Sequence, residues 1–195
     1  MSNKKNKKIF NLTIVGLMTA IATVIYMGPE IPIVPGVDYM KIDFSDVPAI
    51  LTGVIFGPVQ GILVEVFKNI IHLTRTTTFG IGEIMNIVIG SSMILSMSLS
   101  VKAFKKIFKS NKINLKIFFI SSAITIVVAI VMGWIANLVF TPIFYNIMGI
   151  PLVTETYLAG VWGSTTLNSI KSAFNILPFF PIYFALEKGV KKYTI

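Results

Sequence analysis

Long apolar runs, separated by short polar or basic segments, make up most of the chain. They fall at about 9–27, 47–73, 81–101, 114–141 and 159–186. A helix needs roughly 20 apolar residues to cross about 30 Å of hydrocarbon, so runs of this length predict membrane-spanning helices. The first run follows a basic segment, as the core of a signal peptide does. However, Gly28-Pro29-Glu30 after it offers no small-residue cleavage site, so we expect this helix to be retained.

The run at 47–73 decides how many helices the chain has. Taken as one helix it gives five spans, and taken as two helices it gives six. Proline lacks the backbone N–H of an interior helical position and disfavours helix in the residue before it, so Gly57-Pro58 predicts a break. The two resulting helices, at about 47–57 and 58–75, would be antiparallel and joined by a tight turn.

The positions of the basic residues favour six spans. Thirteen of the 17 lie in three segments, at 4–8, 102–116 and 188–192. Lysine-rich loops face the cytoplasm, and the three segments lie on one side of the membrane only with six helices. The sequence therefore predicts an all-α membrane protein with six transmembrane helices and both termini in the cytoplasm. Its parts would be a basic tail at 1–8, a single membrane domain at 9–188 and a second tail at 189–195.

Composition and charge agree with this prediction and exclude other classes. Hydrophobic residues make up 54% of the chain and charged residues only 13%, whereas about a quarter of a soluble domain is charged. The net charge of +9 lies beside the apolar runs, which predicts contact with membrane lipid and no binding of nucleic acid. The chain has no Cys, one His and no G-x-x-x-x-G-K-[ST] phosphate loop. We therefore expect no enzyme activity, no bound metal or cofactor, and no ATPase within the chain itself.

The segment at 28–46 would be an external loop folded against the helix ends. The helix that follows it is short, on the order of 18 Å, so the loop would fill the remaining membrane depth. Residues 39–44 alternate in polarity and predict a short strand or hairpin. Ser45 or Asp46 would cap the next helix, with Pro48 in its first turn.

Polar side chains within the predicted helices are the candidate functional residues, because each is costly to insert into hydrocarbon. They are Glu65, Lys68, Asn69 and His72; Glu83 and Asn86; Asn137; and Asn168, Lys171 and Asn175. Helical spacing puts each group on one face of its helix. With six spans, the groups converge in the extracellular half of the bundle and predict a pocket that opens outward.

Each candidate also has a purely structural interpretation. Glu65 and Lys68 are three residues apart and could simply pair, and asparagines commonly join membrane helices. His72 fits a network residue better than a catalytic base, because no serine or metal-ligand set accompanies it. Asn168 and Lys171 fit ligand contacts better, because the sequence places no acid beside them.

Several of these motifs together resemble one known family. They are KIDFSDVPA at 41–49, FGP at 56–58, E-x-x-K-N-x-x-H at 65–72, G-E-x-x-N at 82–86 and N-x-x-K-x-x-x-N at 168–175. The set is similar to the riboflavin-binding S components, the substrate-binding membrane subunits of energy-coupling factor (ECF) transporters. The resemblance implies six helices and a vitamin bound near the extracellular surface, beneath the first external loop. It also implies a coupling membrane protein and two cytoplasmic ATPases as partners, in a bacterial plasma membrane.

The resemblance further implies roles for individual residues. The substrate-binding residues would be Met40, Asp43, Phe44, Glu83, Asn86, Asn137, Asn168 and Lys171. A supporting network would consist of Glu65, Lys68, Asn69, His72 and Asn175. Gly16 and Ala20 form a small-x-x-x-small pair on the first helix, with Gly16 where alanine is usual, and would dock the coupling protein. By spacing alone, such a pair serves packing within the monomer equally well.

Riboflavin agrees with the chemistry of the predicted pocket. Its flat, largely apolar ring and uncharged hydroxyl-rich tail need apolar walls with a few neutral polar groups. Folate and pantothenate carry carboxylates, which favour arginine, and Arg75 is the only arginine in the chain. Two alternatives stay open: an S component for another vitamin such as these, and a structural membrane subunit that binds no ligand.

Overall fold

A computed structural model of the protein describes residues 2–28, 31–32, 41–149, 151 and 153–190. Seven α-helices are present in these residues: α1 (Ser2–Met27), α2 (Asp46–Phe56), α3 (Pro58–His72), α4 (Ile81–Ile107), α5 (Leu115–Ile147), α6 (Thr154–Ile176) and α7 (Phe179–Val190). A single 3₁₀ turn, Leu73–Arg75, follows α3. Two short strands, β1 (Ile31–Pro32) and β2 (Lys41–Ile42), pair antiparallel before α2. Apart from this two-residue ladder, the regular structure of the described residues is helical, and the predicted all-α class is confirmed.

Four helical stretches are long and apolar enough to cross a membrane: Lys8–Met27, Ile81–Ile107, Leu115–Ile147 and Tyr157–Leu186. The other two helices, α2 and α3, have 11 and 15 residues and are shorter than this length. The chain is therefore a multi-pass membrane protein in which α2 and α3 accompany four longer apolar stretches, the last of which spans both α6 and α7.

The break predicted at Gly57-Pro58 is present. Gly57 ends α2 with a φ of 122°, which favours glycine, and Pro58 begins α3. The two helices then run back along each other in very close contact. A Cβ on Gly61 would lie only 2.6 Å from the carbonyl oxygen of Ala49 and 2.7 Å from the Cα of Gly53. The α2–α3 pair is therefore a tight hairpin that depends on small residues.

The α2 helix forms the centre of the bundle. Every residue of α2 except Val54 is buried, and the helix packs against α1, α3, α4, α6 and α7. After Asp46, α2 carries no charged residue and has no polar face, as befits a helix whose sides are all covered. Its first residue, Asp46, therefore brings a carboxylate into the middle of the bundle.

The long helices α4 and α5 extend further than hydropathy predicts. The α4 helix continues past residue 101 to Ile107, because lysines are good helix formers and are favoured in the last turn of a helix. The α5 helix continues past residue 141 through Pro142 to Ile147. Hydropathy marks the apolar part of a helix and not its end.

The last predicted helix, at 159–186, is interrupted. The α6 helix ends at Ile176, the chain turns at Leu177 and Pro178, and α7 begins at Phe179. Pro178 has no N–H to continue the hydrogen-bond ladder, which explains the break. The prediction of one continuous helix here is wrong, although α6 and α7 together form one apolar stretch.

The segment before α2 differs from the predicted capping arrangement. Ser45 occupies the N-cap position but makes no capping hydrogen bond; its backbone N–H donates to Asp43 Oδ1 at 2.8 Å. The Ser45 hydroxyl instead accepts from the Lys68 Nζ at 3.0 Å. Much of the predicted external loop, including Met40, lies outside the described residues.

Candidate functional site

A cavity of about 410 Å³ lies at the end of the bundle that carries the β1–β2 pair. It lies between α1, α4, α5, α6 and the segment before α2, and we call it the polar cavity. Six of the eight residues predicted to bind substrate line it: Asp43, Glu83, Asn86, Asn137, Asn168 and Lys171. His72, predicted as a network residue, lines it as well. Polar stripes on three helices therefore do meet at one cavity.

Phe44, which was predicted to bind substrate, does not line the polar cavity. Neither do the predicted network residues other than His72. The ring of Phe44 is 39% exposed and meets the edge of Phe174 at a centroid distance of 6.4 Å. The side chains behind the cavity wall are nearly or fully inaccessible to solvent: Glu65, Lys68, Asn69 and Asn175. They support the wall without reaching the cavity.

The prediction that no acid lies near Lys171 is wrong. Its Nζ lies 3.0 Å from Asp43 Oδ2, 4.0 Å from Asp46 Oδ2 and 3.0 Å from Asn86 Oδ1. Asn175, one turn later on α6, donates to the backbone carbonyl of Asp43 at 3.0 Å. Two residues of α6 therefore hold the segment before α2 against the rim of the polar cavity, and Lys171 acts as a tether.

The Asp43 carboxyl is charged in this arrangement. Burial by itself raises the pKa of Asp43, but the Lys171 and Lys68 ammonium groups and hydrogen bonding with Ser45 outweigh it. The net result lowers the pKa of Asp43 to about 2. The Asp43 carboxyl is therefore ionised at physiological pH, and it lies 3.0 Å from the Lys171 Nζ.

A second ionic cluster lies behind the cavity wall. Lys68 contacts the carboxylates of Asp46 and Glu65, the latter at 2.9 Å. Asn69 Nδ2 donates to Glu65 Oε1 at 2.9 Å, and Asn86 Nδ2 donates to Asn69 Oδ1 at 3.0 Å. Glu65 and Lys68 therefore do pair, as their spacing allows, and the pair is part of a larger network that includes Asp46, Asn69 and Asn86. The cluster ties α2, α3 and α4 together.

Glu83 and His72 are engaged with each other. His72 Nδ1 lies 2.8 Å from Glu83 Oε1, and Thr76 and Thr78 donate to Glu83 Oε2 at 2.9 and 3.3 Å. The ring of Tyr26 stacks on His72 with centroids 3.7 Å apart and an angle of 11°. These contacts agree with a network role for His72. They leave Glu83 little capacity to contact a ligand.

Two asparagines present hydrogen-bonding groups that protein atoms do not use. Asn137 Nδ2 donates to the Gly133 carbonyl at 2.8 Å and to Thr165 Oγ1 at 3.2 Å. Its Oδ1 is buried without a partner in the part of the chain that is described. The Asn168 side chain is half-buried and makes no hydrogen bond within the same residues. A buried unpaired polar atom costs about 1–3 kcal/mol, so Asn137 Oδ1 favours a ligand that pairs with it. The half-buried Asn168 amide is available to the same ligand.

Several cavity residues were missed by sequence reasoning. They are mostly aromatic or small hydroxyl residues: Tyr26, Thr141, Phe144, Tyr145 and Ser164. Such residues are common on every face of a membrane helix, so their spacing gives no signal. Gly160 is a partial exception, since a Cβ there would lie 2.3 Å from the hydroxyl of Tyr145 and only glycine leaves room for that ring.

The predicted docking pair lies on an open face of α1. Gly16 and Ala20 are both exposed, and a Cβ on Gly16 would meet no heavy atom within 4 Å. Within the described residues, the pair therefore does not serve close packing inside the monomer.

Comparison with known proteins identifies the family. A sequence model described as "ECF transporter, substrate-specific component" matches residues 10–183. "Riboflavin transporter FmnP" of Bacillus subtilis (strain 168) is 29% identical over 194 residues, which cover 95% of this chain and 96% of that protein. "Riboflavin transporter RibU" of Staphylococcus aureus (strain TCH60) is 32% identical over 97 residues, 49% of each chain. A solved structure, "Structure and mechanism of the S component of a bacterial ECF transporter", shares the fold with a TM-score of 0.66 at 24% identity, over 94% of this chain and 99% of that one.

The matched range contains every described residue of the polar cavity and both members of the α1 docking pair. It confirms the family that the motifs resemble, and its members are transporter components and not enzymes. The chain belongs to the family of substrate-specific (S) components of ECF transporters.

Proposed function

We propose that this S component binds riboflavin in the polar cavity at the extracellular surface and releases it into the cytoplasm. The two named relatives are riboflavin transporters, and one of them aligns with nearly the whole chain. The cavity volume, about 410 Å³, lies within the range of about 300–1,000 Å³ that holds small organic ligands.

The charged side chains that line the polar cavity favour an uncharged vitamin. Four charged side chains line the cavity, and their formal charges cancel: Asp43 and Glu83 against Lys171 and Arg75. Asp43 contacts Lys171 at 3.0 Å, and Arg75 donates to the Met27 carbonyl at 3.1 Å. The other groups that the cavity offers a ligand are neutral: the amide of Asn168, Oδ1 of Asn137 and the rings of Tyr26 and Tyr145. A flavin ring would stack against the aromatic rings while its polar edge or ribityl hydroxyls pair with the amides. A carboxylate vitamin would compete with Asp43 for Lys171 and would be left with Arg75 as its partner, so folate or pantothenate is the alternative that the binding test must exclude.

The transport cycle follows from the family and the charge pattern. We place six spans in the membrane, with α2 and α3 as a hairpin and α6 and α7 as one interrupted span. Both termini and the lysine-rich loop would face the cytoplasm of a bacterial cell, in accord with the positive-inside rule. The α1 face around Gly16 and Ala20 would dock a coupling membrane protein. Two cytoplasmic ATPases would supply the energy that reorients the subunit for release.

Flavin binding is tested by titrating riboflavin into the protein purified in mild detergent. Quenching of flavin emission is the better signal, because neither Trp134 nor Trp162 lines the cavity, whereas aromatic rings do. Asn168→Ala should weaken binding by about 1–3 kcal/mol, or roughly 5- to 150-fold, through lost hydrogen bonds. Thr166→Ala is the matched control, because its exposed hydroxyl bonds only the Trp162 carbonyl of its own helix.

The outcomes separate the alternatives. A protein that ignores riboflavin but binds folate or pantothenate would be an S component for another vitamin. Failure of all three ligands would favour a structural subunit. Equal affinity in wild type and Asn168→Ala would contradict the site while leaving the substrate intact.

Docking of the coupling protein is tested separately. Gly16→Leu with Ala20→Leu should abolish co-purification with the coupling protein and leave riboflavin affinity unchanged, because both residues face away from the cavity. Ile21→Phe enlarges an exposed side chain on another face of α1 and serves as the control. Normal assembly of the double variant would exclude this face as the contact.

A further inference from the structure

A continuous hydrogen-bonded chain runs from the polar cavity into the wall behind it. Lys171 Nζ donates to Asn86 Oδ1 at 3.0 Å, and Asn86 Nδ2 donates to Asn69 Oδ1 at 3.0 Å. Asn69 Nδ2 then donates to Glu65 Oε1 at 2.9 Å. We call these four side chains the amide relay. Lys171 and Asn86 line the polar cavity, whereas Asn69 and Glu65 lie behind its wall and are fully buried.

Both ends of the amide relay impose the same direction on its hydrogen bonds. The Lys171 ammonium can only donate, so it requires the oxygen of Asn86. Glu65 presents two acceptors to Asn69, its carboxylate Oε1 at 2.9 Å and its backbone carbonyl at 2.8 Å, and both require the Asn69 nitrogen. The two amides therefore have one orientation that satisfies every contact. Turning either amide over would place two donors or two acceptors against each other.

The Glu65 end of the amide relay is held in place. Its Oε2 lies 2.9 Å from the Lys68 Nζ, and Lys68 in turn contacts the Asp46 carboxylate at the start of α2. On α4, Gly90 leaves room for the carboxyl group, because a Cβ there would lie 2.6 Å from Cδ and Oε1 of Glu65. A carboxylate that is paired on one side and packed against backbone on the other has a fixed position. Glu65 is therefore a rigid anchor for the amides in front of it.

Asn86 is the residue through which the relay reaches the polar cavity. Its oxygen accepts from Lys171 and its nitrogen donates to Asn69, so each half of the amide has a protein partner. Asn137 differs, because its Oδ1 has no partner in the described part of the chain. The Lys171 ammonium is held between Asn86 on α4 and Asp43 at the rim. The relay thus determines how two cavity-lining side chains are oriented.

We propose that Asn69 is a positioning residue for the vitamin, although it does not line the polar cavity. Glu65 fixes the Asn69 amide, and Asn69 in turn holds the Asn86 amide with its oxygen toward Lys171. Asn86 therefore orients Lys171 and the cavity wall instead of offering a free amide to the vitamin. The inference rests on the proposed function, and it extends the binding machinery to a side chain that cannot touch the vitamin.

The first test asks whether Asn69 acts on the vitamin through Asn86. Riboflavin is titrated into wild type, Asn69→Leu, Asn86→Leu and the double variant, each checked for folding by circular dichroism and gel filtration. Leucine has nearly the shape of asparagine but neither donates nor accepts. Asn69→Leu should weaken riboflavin roughly tenfold, because the Asn86 nitrogen loses its partner and fewer molecules hold the binding-competent wall. In the Asn86→Leu background, the same change should alter affinity by less than about twofold.

The matched control is Thr52→Val, which also removes a buried hydrogen bond with little change of shape. The Thr52 hydroxyl is fully buried in α2 and donates to the Pro48 carbonyl of its own helix at 2.7 Å. Thr52 belongs to neither the relay nor the cavity lining. Its replacement should lower the melting temperature and leave riboflavin affinity within about twofold of wild type.

The second test measures thermal unfolding without vitamin, so it does not depend on the proposed function. Asn86→Asp places an acid beside Lys171, and by charge alone it should raise the melting temperature. The relay predicts a lower melting temperature, because the second aspartate oxygen would face Asn69 Oδ1, and Glu65 prevents the Asn69 amide from turning over. In the Asn69→Leu background this acceptor is absent, and Asn86→Asp should then raise the melting temperature.

Three results would overturn the proposal. Unchanged riboflavin affinity in Asn69→Leu would reduce the relay to a hydrogen bond that joins helices. Additive losses in the double leucine variant would show that Asn69 acts independently of Asn86. A higher melting temperature for Asn86→Asp in both backgrounds would show that the direction of the relay is not fixed. A wild type that ignores riboflavin would instead refute the proposed function, and the unfolding measurements would then decide the relay by themselves.

Discussion

The contact between Lys171 and Asp43 makes the sharpest prediction, because it assigns Lys171 to holding the rim of the polar cavity instead of touching the vitamin. Asp43 and Lys171 side chains are only 4% and 13% exposed. Replacing Lys171 by Met leaves the Asp43 carboxylate buried with its hydrogen bond from the Ser45 N–H. Breaking a buried pair by removing one partner costs about 3–5 kcal/mol. The remaining Ser45 bond and the nearby Lys68 put the expected loss near the lower limit, at about 3 kcal/mol.

The second variant in the cycle is Asp43→Asn. It should cost less than Lys171→Met, because Lys171 keeps Asn86 at 3.0 Å and Asp46 at 4.0 Å. In the double variant neither member of the Asp43–Lys171 pair is left without its partner, so stability should recover by roughly 2 kcal/mol relative to the sum of the two single losses. Riboflavin should bind only when the rim is docked, so a loss of about 3 kcal/mol in Lys171→Met should weaken its binding about 150-fold.

Thermal unfolding and flavin titration of the four proteins in one detergent measure stability and affinity together. A tether predicts that both quantities recover in the double variant. A direct contact between Lys171 and the flavin predicts that stability recovers while affinity stays low. Losses that add within about 0.5 kcal/mol would show that the two side chains do not interact, which would refute the reasoning.

Three further predictions rest on single contacts. The lowered pKa of Asp43, about 2, means that its stabilisation is complete above about pH 4 and is lost only as the pH falls through about 2. The difference in thermal stability between wild type and Asp43→Asn should therefore be constant from pH 8 to 5, and a difference that shrinks over this range would contradict the ion pair. Gly160→Ala should push the Tyr145 ring into the polar cavity and weaken riboflavin at least tenfold, whereas Gly133→Ala, whose new Cβ would meet its nearest atom at 3.8 Å, should not. Gly61→Ala places a Cβ against backbone atoms of α2 and should cost about 3 kcal/mol or more in unfolding measurements, while Gly16→Ala, in open space, should leave stability unchanged.

The local features of the fold were readable from the sequence, and its long-range pairings were not. The Gly57-Pro58 break and the single-faced polar stripes follow from rules that act within a few residues, and both are present. The same rule applied to Pro178 would have predicted the break between α6 and α7. Pro142, in contrast, lies inside α5, because a membrane helix tolerates proline where neighbouring groups satisfy the freed carbonyl. Proline therefore indicates where a helix can break, and packing decides whether it does.

The pairing of Asp43 with Lys171 shows why the site itself was harder to predict. The two residues are far apart in the sequence, and no periodicity connects a loop residue to a helix residue. Without this contact, Lys171 looks like a free cation suited to a ligand carboxylate. With it, Lys171 is neutralised, and the asparagine groups of the cavity without a partner in the described residues are Asn137 Oδ1 and the Asn168 amide. The contact thus changes the class of vitamin that fits.

The positions of the charged residues relate the large net charge of the chain to its site. The carboxylates described in the bundle lie at or behind the polar cavity, where they neutralise Lys68 and Lys171. The basic residues at 4–8, 102–116 and 188–192 flank the apolar runs, and none of those that the structure describes lines the polar cavity. A neutral vitamin needs a cavity without net charge, whereas an anionic membrane surface attracts lysines. The chain meets both needs by keeping its paired acids at the polar cavity and its loop lysines elsewhere. Moving one charge across this division, as in Asn86→Lys, should therefore impair substrate binding far more than losing one loop lysine.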